Sequence, residues 1–120
     1  MRIMVALIVL SSVTFAAPKE AAAHAHLAQA SPKPGSTVSP APKKIVLSFT
    51  EKLEPKFSSV EVRDAQGASV QAGKAQSGAN RAQLQVQLKP LGPGTYTVNW
   101  RVLSVDTHRT KGTFTFKVGR

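Results

Sequence analysis

Five stretches of this chain alternate apolar and polar residues one by one, and that period of two restricts the available folds more than any other feature. Leu84-Gln85-Val86-Gln87-Leu88 alternates without a break. Within Lys44–Phe49, the residues Ile45, Leu47 and Phe49 share a face. Within Ser59–Arg63, Val60 and Val62 share one face and Glu61 and Arg63 the other. Tyr96–Val102 and Phe114–Val118 repeat the pattern. Only extended backbone sends successive side chains to opposite sides, so each stretch predicts a strand with one buried face. No part of the chain beyond its first segment keeps a helical period.

Turn chemistry separates the strands. Ser31-Pro32-Lys33-Pro34-Gly35-Ser36 follows a short strand near Leu27–Ala30, and Asp64-Ala65-Gln66-Gly67 reads as a hairpin connection. Ser77-Gly78-Ala79-Asn80 and Pro90-Leu91-Gly92-Pro93-Gly94 serve the same purpose. With a weak segment at Ser69–Ala72 the total is about seven strands, the pattern of an all-β antiparallel sandwich of Ig-like type. Phe49, Tyr96, Trp100, Phe114 and Phe116 fall on inward positions and are expected to pack in the core. Gly94-Thr95-Tyr96 at a strand start resembles a tyrosine corner, in which the hydroxyl ties down the preceding turn.

The amino terminus has a different grammar. Met1-Arg2 precedes an apolar run from Ile3 to Ala17, and small residues lead up to Ala23. The run is 15 residues long, whereas a membrane-spanning helix needs about 20. A basic start, a short apolar core and small residues before a cut describe a secretory signal peptide over residues 1–23. The mature chain is then one domain, residues 24–120, with no stable membrane insertion after cleavage. It contains no cysteine, so an exported domain of this size must hold together without disulfides.

The mature part carries 14 basic against 5 acidic side chains, a net charge of +9. A balance this basic raises the question of a polyanion partner. In sequence the basic residues are scattered, with no run longer than two and no aromatics interleaved among them. They read as a solvated basic surface, with no nucleic acid as partner.

Cleavage after Ala23 leaves His24 with a free α-amine, so one residue offers both an amine and an imidazole to one metal ion. Near the other end, Asp106-Thr107-His108 offers a carboxylate and a further nitrogen. In extended backbone residues two apart share a side, about 6.6 Å apart at Cα. Three nitrogens and a carboxylate oxygen suit Cu(II), although zinc accepts similar atoms in a tetrahedron. His26 opens an alternative. A histidine in third position lets amine, amides and imidazole wrap Cu(II) or Ni(II) as a local peptide site that needs no fold. Met1 and Met4 are the only methionines and both leave with the leader. The mature chain therefore has no sulfur, which disfavours Cu(I) and excludes a blue-copper centre.

At this point a resemblance becomes specific. His24-Ala25-His26-Leu27 with Ser31-Pro32 and Gly35 resembles the start of the CopC family of periplasmic copper-binding proteins. Ile45–Glu51 resembles that family's second strand, and Gly112–Val118 its last. Leu91, Gly94–Tyr96, Val98–Val102 and Ser104–His108 resemble its most characteristic block. The resemblance implies a Greek-key sandwich and a Cu(II) site formed by His24, Asp106 and His108. It places Glu51 beside the metal as a weak or indirect partner. It also implies a monomeric, non-enzymatic periplasmic protein for copper resistance or homeostasis, with a separate CopD-type inner-membrane transporter as recipient. The methionine-rich loop of some members is lacking.

Two rival functions stand beside this one. Polysaccharide monooxygenases also hold copper on an amino-terminal histidine, but a carboxylate at Asp106 would fill a position that oxygen activation needs open. A metal-free Ig-like interaction module would instead rest on the basic surface.

Overall fold

Alternation becomes structure wherever two such stretches lie side by side and exchange backbone hydrogen bonds, burying their apolar faces together. The computed structural model describes residues 25–120. The signal-peptide segment and His24 lie outside the described residues. Eight strands form: β1 Leu27–Ser31, β2 Thr37–Val38, β3 Lys44–Phe49, β4 Ser59–Arg63, β5 Gln76–Ser77, β6 Gln83–Gln87, β7 Gly94–Leu103 and β8 Arg109–Val118.

They build two four-stranded sheets, ordered β1-β3-β6-β5 and β2-β8-β7-β4. The chain changes sheet at each step from β1 to β5, then closes with the β5–β6 and β7–β8 pairs within single sheets. That crossing path is the expected Greek-key sandwich. The pairings are antiparallel except β2, which runs parallel to β8. Strands β2 and β5 are two residues each, too short for alternation to signal them. The weak Ser69–Ala72 segment makes only isolated bridges, Ser69 to Arg63 and Gln71 to Leu88. Strand β8 begins at Arg109, well before Phe114, because its register with β7 continues unbroken from Gly94↔Val118 to Leu103↔Arg109.

The inward faces interdigitate as one core. Ile45, Leu47, Val62, Leu84, Val98 and Phe116 are fully buried. Phe49 meets Trp100 edge to face across the sheets, with ring centroids 5.1 Å apart. Tyr96 stacks on Phe116 at 5.5 Å. The Tyr96 hydroxyl donates to the Gly92 carbonyl at 2.6 Å, which is the tie expected of a tyrosine corner. Phe114 is only half-buried against this core. At the far end of β7 the indole of Trp100 covers its ladder partner Gly112, where a Cβ would lie 2.4 Å from Trp100 Cζ2. Gly112 is the residue that lets this aromatic lie flat across the β7–β8 pair.

Candidate metal centre

The β7–β8 connection holds two of the expected ligands, Asp106 and His108. Ser104 N–H donates to the His108 carbonyl at 3.0 Å, and Thr107 N–H donates to the Ser104 carbonyl at 2.9 Å. The loop Val105-Asp106-Thr107 is thus a tight turn closed by the Ser104–His108 pair, and Thr107 sits at φ +70°. A three-residue hairpin loop wants its last residue in this left-handed region, normally a glycine. A β-branched threonine there is strained. The backbone at Asp106-Thr107-His108 is therefore a turn and not the extended segment the spacing suggested. The turn brings the two side chains closer than a strand would.

Asp106 Oδ2 lies 3.3 Å from His108 Nδ1, and both side chains are roughly half-exposed. The Ser104 hydroxyl donates to Asp106 Oδ1 and lies 3.2 Å from the His108 carbonyl. Ser104 is itself 1% exposed, so this donor is held fast under the loop. The hydrogen bond from Ser104 lowers the Asp106 pKa, partial desolvation opposes it, and the neighbouring His108 lowers it further. Two donors each about 2 Å from one ion stand about 2.8–3.3 Å apart as neighbours, in a square plane or a tetrahedron respectively. The 3.3 Å between Asp106 Oδ2 and His108 Nδ1 is a spacing that two neighbouring ligands of one ion could adopt.

Two threonines bring the start of the chain to this end of the sandwich. Ala25 is fully buried, and its carbonyl accepts a 2.8 Å bond from Thr110 Oγ1, two residues beyond His108. His26 donates its N–H to Thr50 Oγ1 at 2.9 Å, and its carbonyl accepts from Thr50 N–H at 2.9 Å. The His26 residue is exposed. Lys52, next to Glu51, accepts at its carbonyl from Val105 N–H at 2.9 Å, which sets the Glu51 backbone beside the turn. Among the described residues, however, no three His, Asp or Glu side chains converge as a metal-holding group. Asp106 and His108 are brought together, whereas Glu51 and His26 do not join them. His24 lies outside the described residues.

Ser104, Thr107 and Thr110 were not singled out by residue type. A serine two positions before an aspartate was the one available hint, and it carries no weight until the turn is formed. Among the described residues no helix is long and apolar enough to cross a membrane.

A family model described as the CopC domain matches residues 27–119. Protein YobA of Escherichia coli (strain K12) is 41% identical over 98 residues, covering 80% of this chain and 79% of its own. Copper resistance protein C of Xanthomonas campestris pv. juglandis is 39% identical over 123 residues, covering 97% of this chain and 91% of its own. The crystal structure of PcoC, a methionine-rich copper resistance protein from Escherichia coli, superposes with a TM-score of 0.73 at 37% identity. That match covers 81% of this chain and 100% of PcoC.

Proposed function

Because this chain belongs to the CopC family, we propose that it binds Cu(II) in the periplasm, using His24, Asp106 and His108 after cleavage behind Ala23. It is a binding protein for copper resistance or homeostasis, not an enzyme. The observation that carries the reading is the 3.3 Å Asp106–His108 pair on a hairpin whose next strand holds Ala25 through Thr110. Residue 24 is joined to Ala25 by one peptide bond, and Ala25 is held by Thr110, two residues beyond His108. A carboxylate and nitrogen donors without sulfur suit Cu(II) over Cu(I). Glu51, whose neighbour Lys52 accepts a backbone bond from Val105, is included in this reading as a weak or indirect partner of the metal. The half-exposed pair leaves room for a recipient to approach. We assign that role to a CopD-type membrane transporter, with the monomeric protein as donor.

Electron paramagnetic resonance of Cu(II)-loaded protein tests the site. Protein beginning at His24 should show a single Cu(II) species with nitrogen hyperfine structure. One extra residue before His24 turns the amine into a peptide nitrogen and should abolish that species while the fold persists. Identical spectra from the two forms would remove His24 from the site.

A further inference from the structure

The register of the β2-β8-β7-β4 sheet gathers basic residues that are far apart in sequence. Its outer face reads in rows across the strands. Ser59, Arg101 and Lys111 form one row, Glu61, Asn99 and Thr113 the next, and Arg63, Thr97 and Thr115 a third. Thr95, Lys117 and Thr37 form a fourth, and Arg109 stands opposite Leu103 beside the turn. Arg101 and Lys111 are direct cross-strand partners, a placement in which like charges repel. Arg101, Arg109 and Lys111 also line one shallow depression with Val102 and Thr110.

Little on this face offsets that charge. Its acid, Glu61, is taken by Arg63. The other ion pairs among the described residues, Arg81–Glu54 and His108–Asp106, involve none of Arg101, Arg109, Lys111 or Lys117. The outer face of the β1-β3-β6-β5 sheet is built differently. It presents Gln29, Val46, Ser48, Gln83, Gln85 and Gln87, with Lys44 on its strands and Lys33 at its edge as its cations. A polar sheet face therefore does not require this many cations, and their concentration on one side calls for an anionic counterpart.

We propose that the outer face of the β2-β8-β7-β4 sheet docks the protein on anionic lipid headgroups. A protein partner fits less well. Stable protein interfaces centre on aromatic or aliphatic anchors in pockets, and on β7 and β8 the aromatics Tyr96, Trp100, Phe114 and Phe116 turn inward. Outside on these strands, threonine and cation predominate, with Asn99 and a half-buried Leu103, which suits a diffuse, charged plane held by long-range attraction. The face adjoins the turn bearing Asp106 and His108, so adsorption would keep that turn near the membrane. The inference does not depend on the copper reading.

The test is flotation of metal-free processed protein with vesicles of phosphatidylcholine alone or with about 30% phosphatidylglycerol added, an anionic surface that attracts Lys and Arg. Binding should require phosphatidylglycerol and be lost in ~0.5 M salt, where screening shortens to a few ångströms. The triple variant Arg101→Gln, Arg109→Gln, Lys111→Gln should bind about ten-fold or more weakly. Lys43→Gln, Lys44→Gln, Lys89→Gln removes the same charge elsewhere and should cost no more than about three-fold. Arg101→Lys with Arg109→Lys keeps the charge and should keep the binding, which separates charge loss from misfolding. Absence of phosphatidylglycerol-dependent binding, or equal losses in the two triple variants, would overturn the surface and leave the copper site untouched.

Discussion

The hydroxyl of Thr110 donates to the carbonyl of Ala25 at 2.8 Å, across 85 positions of sequence. It clips the first of the described residues to the strand that leaves the Asp106–His108 turn. A binding site made from two ends of a chain depends on such a clip. Thr110→Val keeps the shape and removes the donor. It is expected to cost about 0.5–1.5 kcal/mol of stability, the usual net value of one hydrogen bond. Cu(II) affinity should fall about 10- to 100-fold, as for other groups that orient metal ligands without touching the metal. Competition against a Cu(II) chelator, run beside thermal unfolding, separates the two effects. Unchanged affinity would mean that Ala25 does not position the amino terminus.

Asp106→Ala and His108→Ala should each weaken Cu(II) binding by about a hundred-fold or more, since removing a ligand costs at least as much as removing its support. His26→Ala should change it little, because His26 does not join the pair. A synthetic peptide spanning His24–Leu27 settles the alternative. If it binds Cu(II) as tightly as the whole protein, the wrapped-peptide site operates and the order of the variants reverses.

Ser104→Ala should raise the pKa of Asp106 toward the ordinary aspartate value, since the Ser104 hydrogen bond is the largest cause of its depression. The sign follows from linkage. A carboxyl whose folded pKa lies below its unfolded value adds stability at pH above the unfolded value. That stability is lost as pH falls through the folded value. The variant should therefore begin to lose this contribution at a higher pH than the wild type. Carboxyl-detected NMR titration of Asp106 measures it directly. Because Asp106 stays ionised in mild acid, copper release on acidification should follow protonation of the nitrogen ligands. A midpoint unmoved in the variant would assign the depression to His108 instead.

Gly112→Ala should destabilise the fold by about 1–3 kcal/mol, the range for overpacking. The added Cβ meets Trp100 Cζ2 at 2.4 Å and Cε2 at 2.6 Å. Trp100 must then leave its edge-to-face contact with Phe49. Denaturant unfolding followed by Trp100 fluorescence should show a lower midpoint and a shifted native emission. Native emission identical to the wild type would mean that the indole does not lie over Gly112.

The β-sandwich was legible because alternation is a local property. Each of Ile45-Leu47-Phe49, Leu84-Val86 and Val98-Trp100-Val102 declares its own buried face without knowledge of its neighbours. The turns at Asp64–Gly67 and Pro90–Gly94 announce themselves in the same way, by residues that favour bends. The closeness of Asp106 and His108 was suggested too, since residues two apart share a side in extended backbone, although the backbone that brings them together is a turn. Only the tertiary structure decided the rest. That Asp106 and His108 meet through a strained turn at Thr107 depends on Ser104 pairing with His108. That Ala25 sits beside Thr110 depends on segments 85 positions apart reaching the same end of one sandwich. That Arg101 faces Lys111 is a matter of register, which sums contributions from every pair along β7 and β8. Local pattern sets which residues turn inward, but a long-range pairing sets which of the outward ones become neighbours.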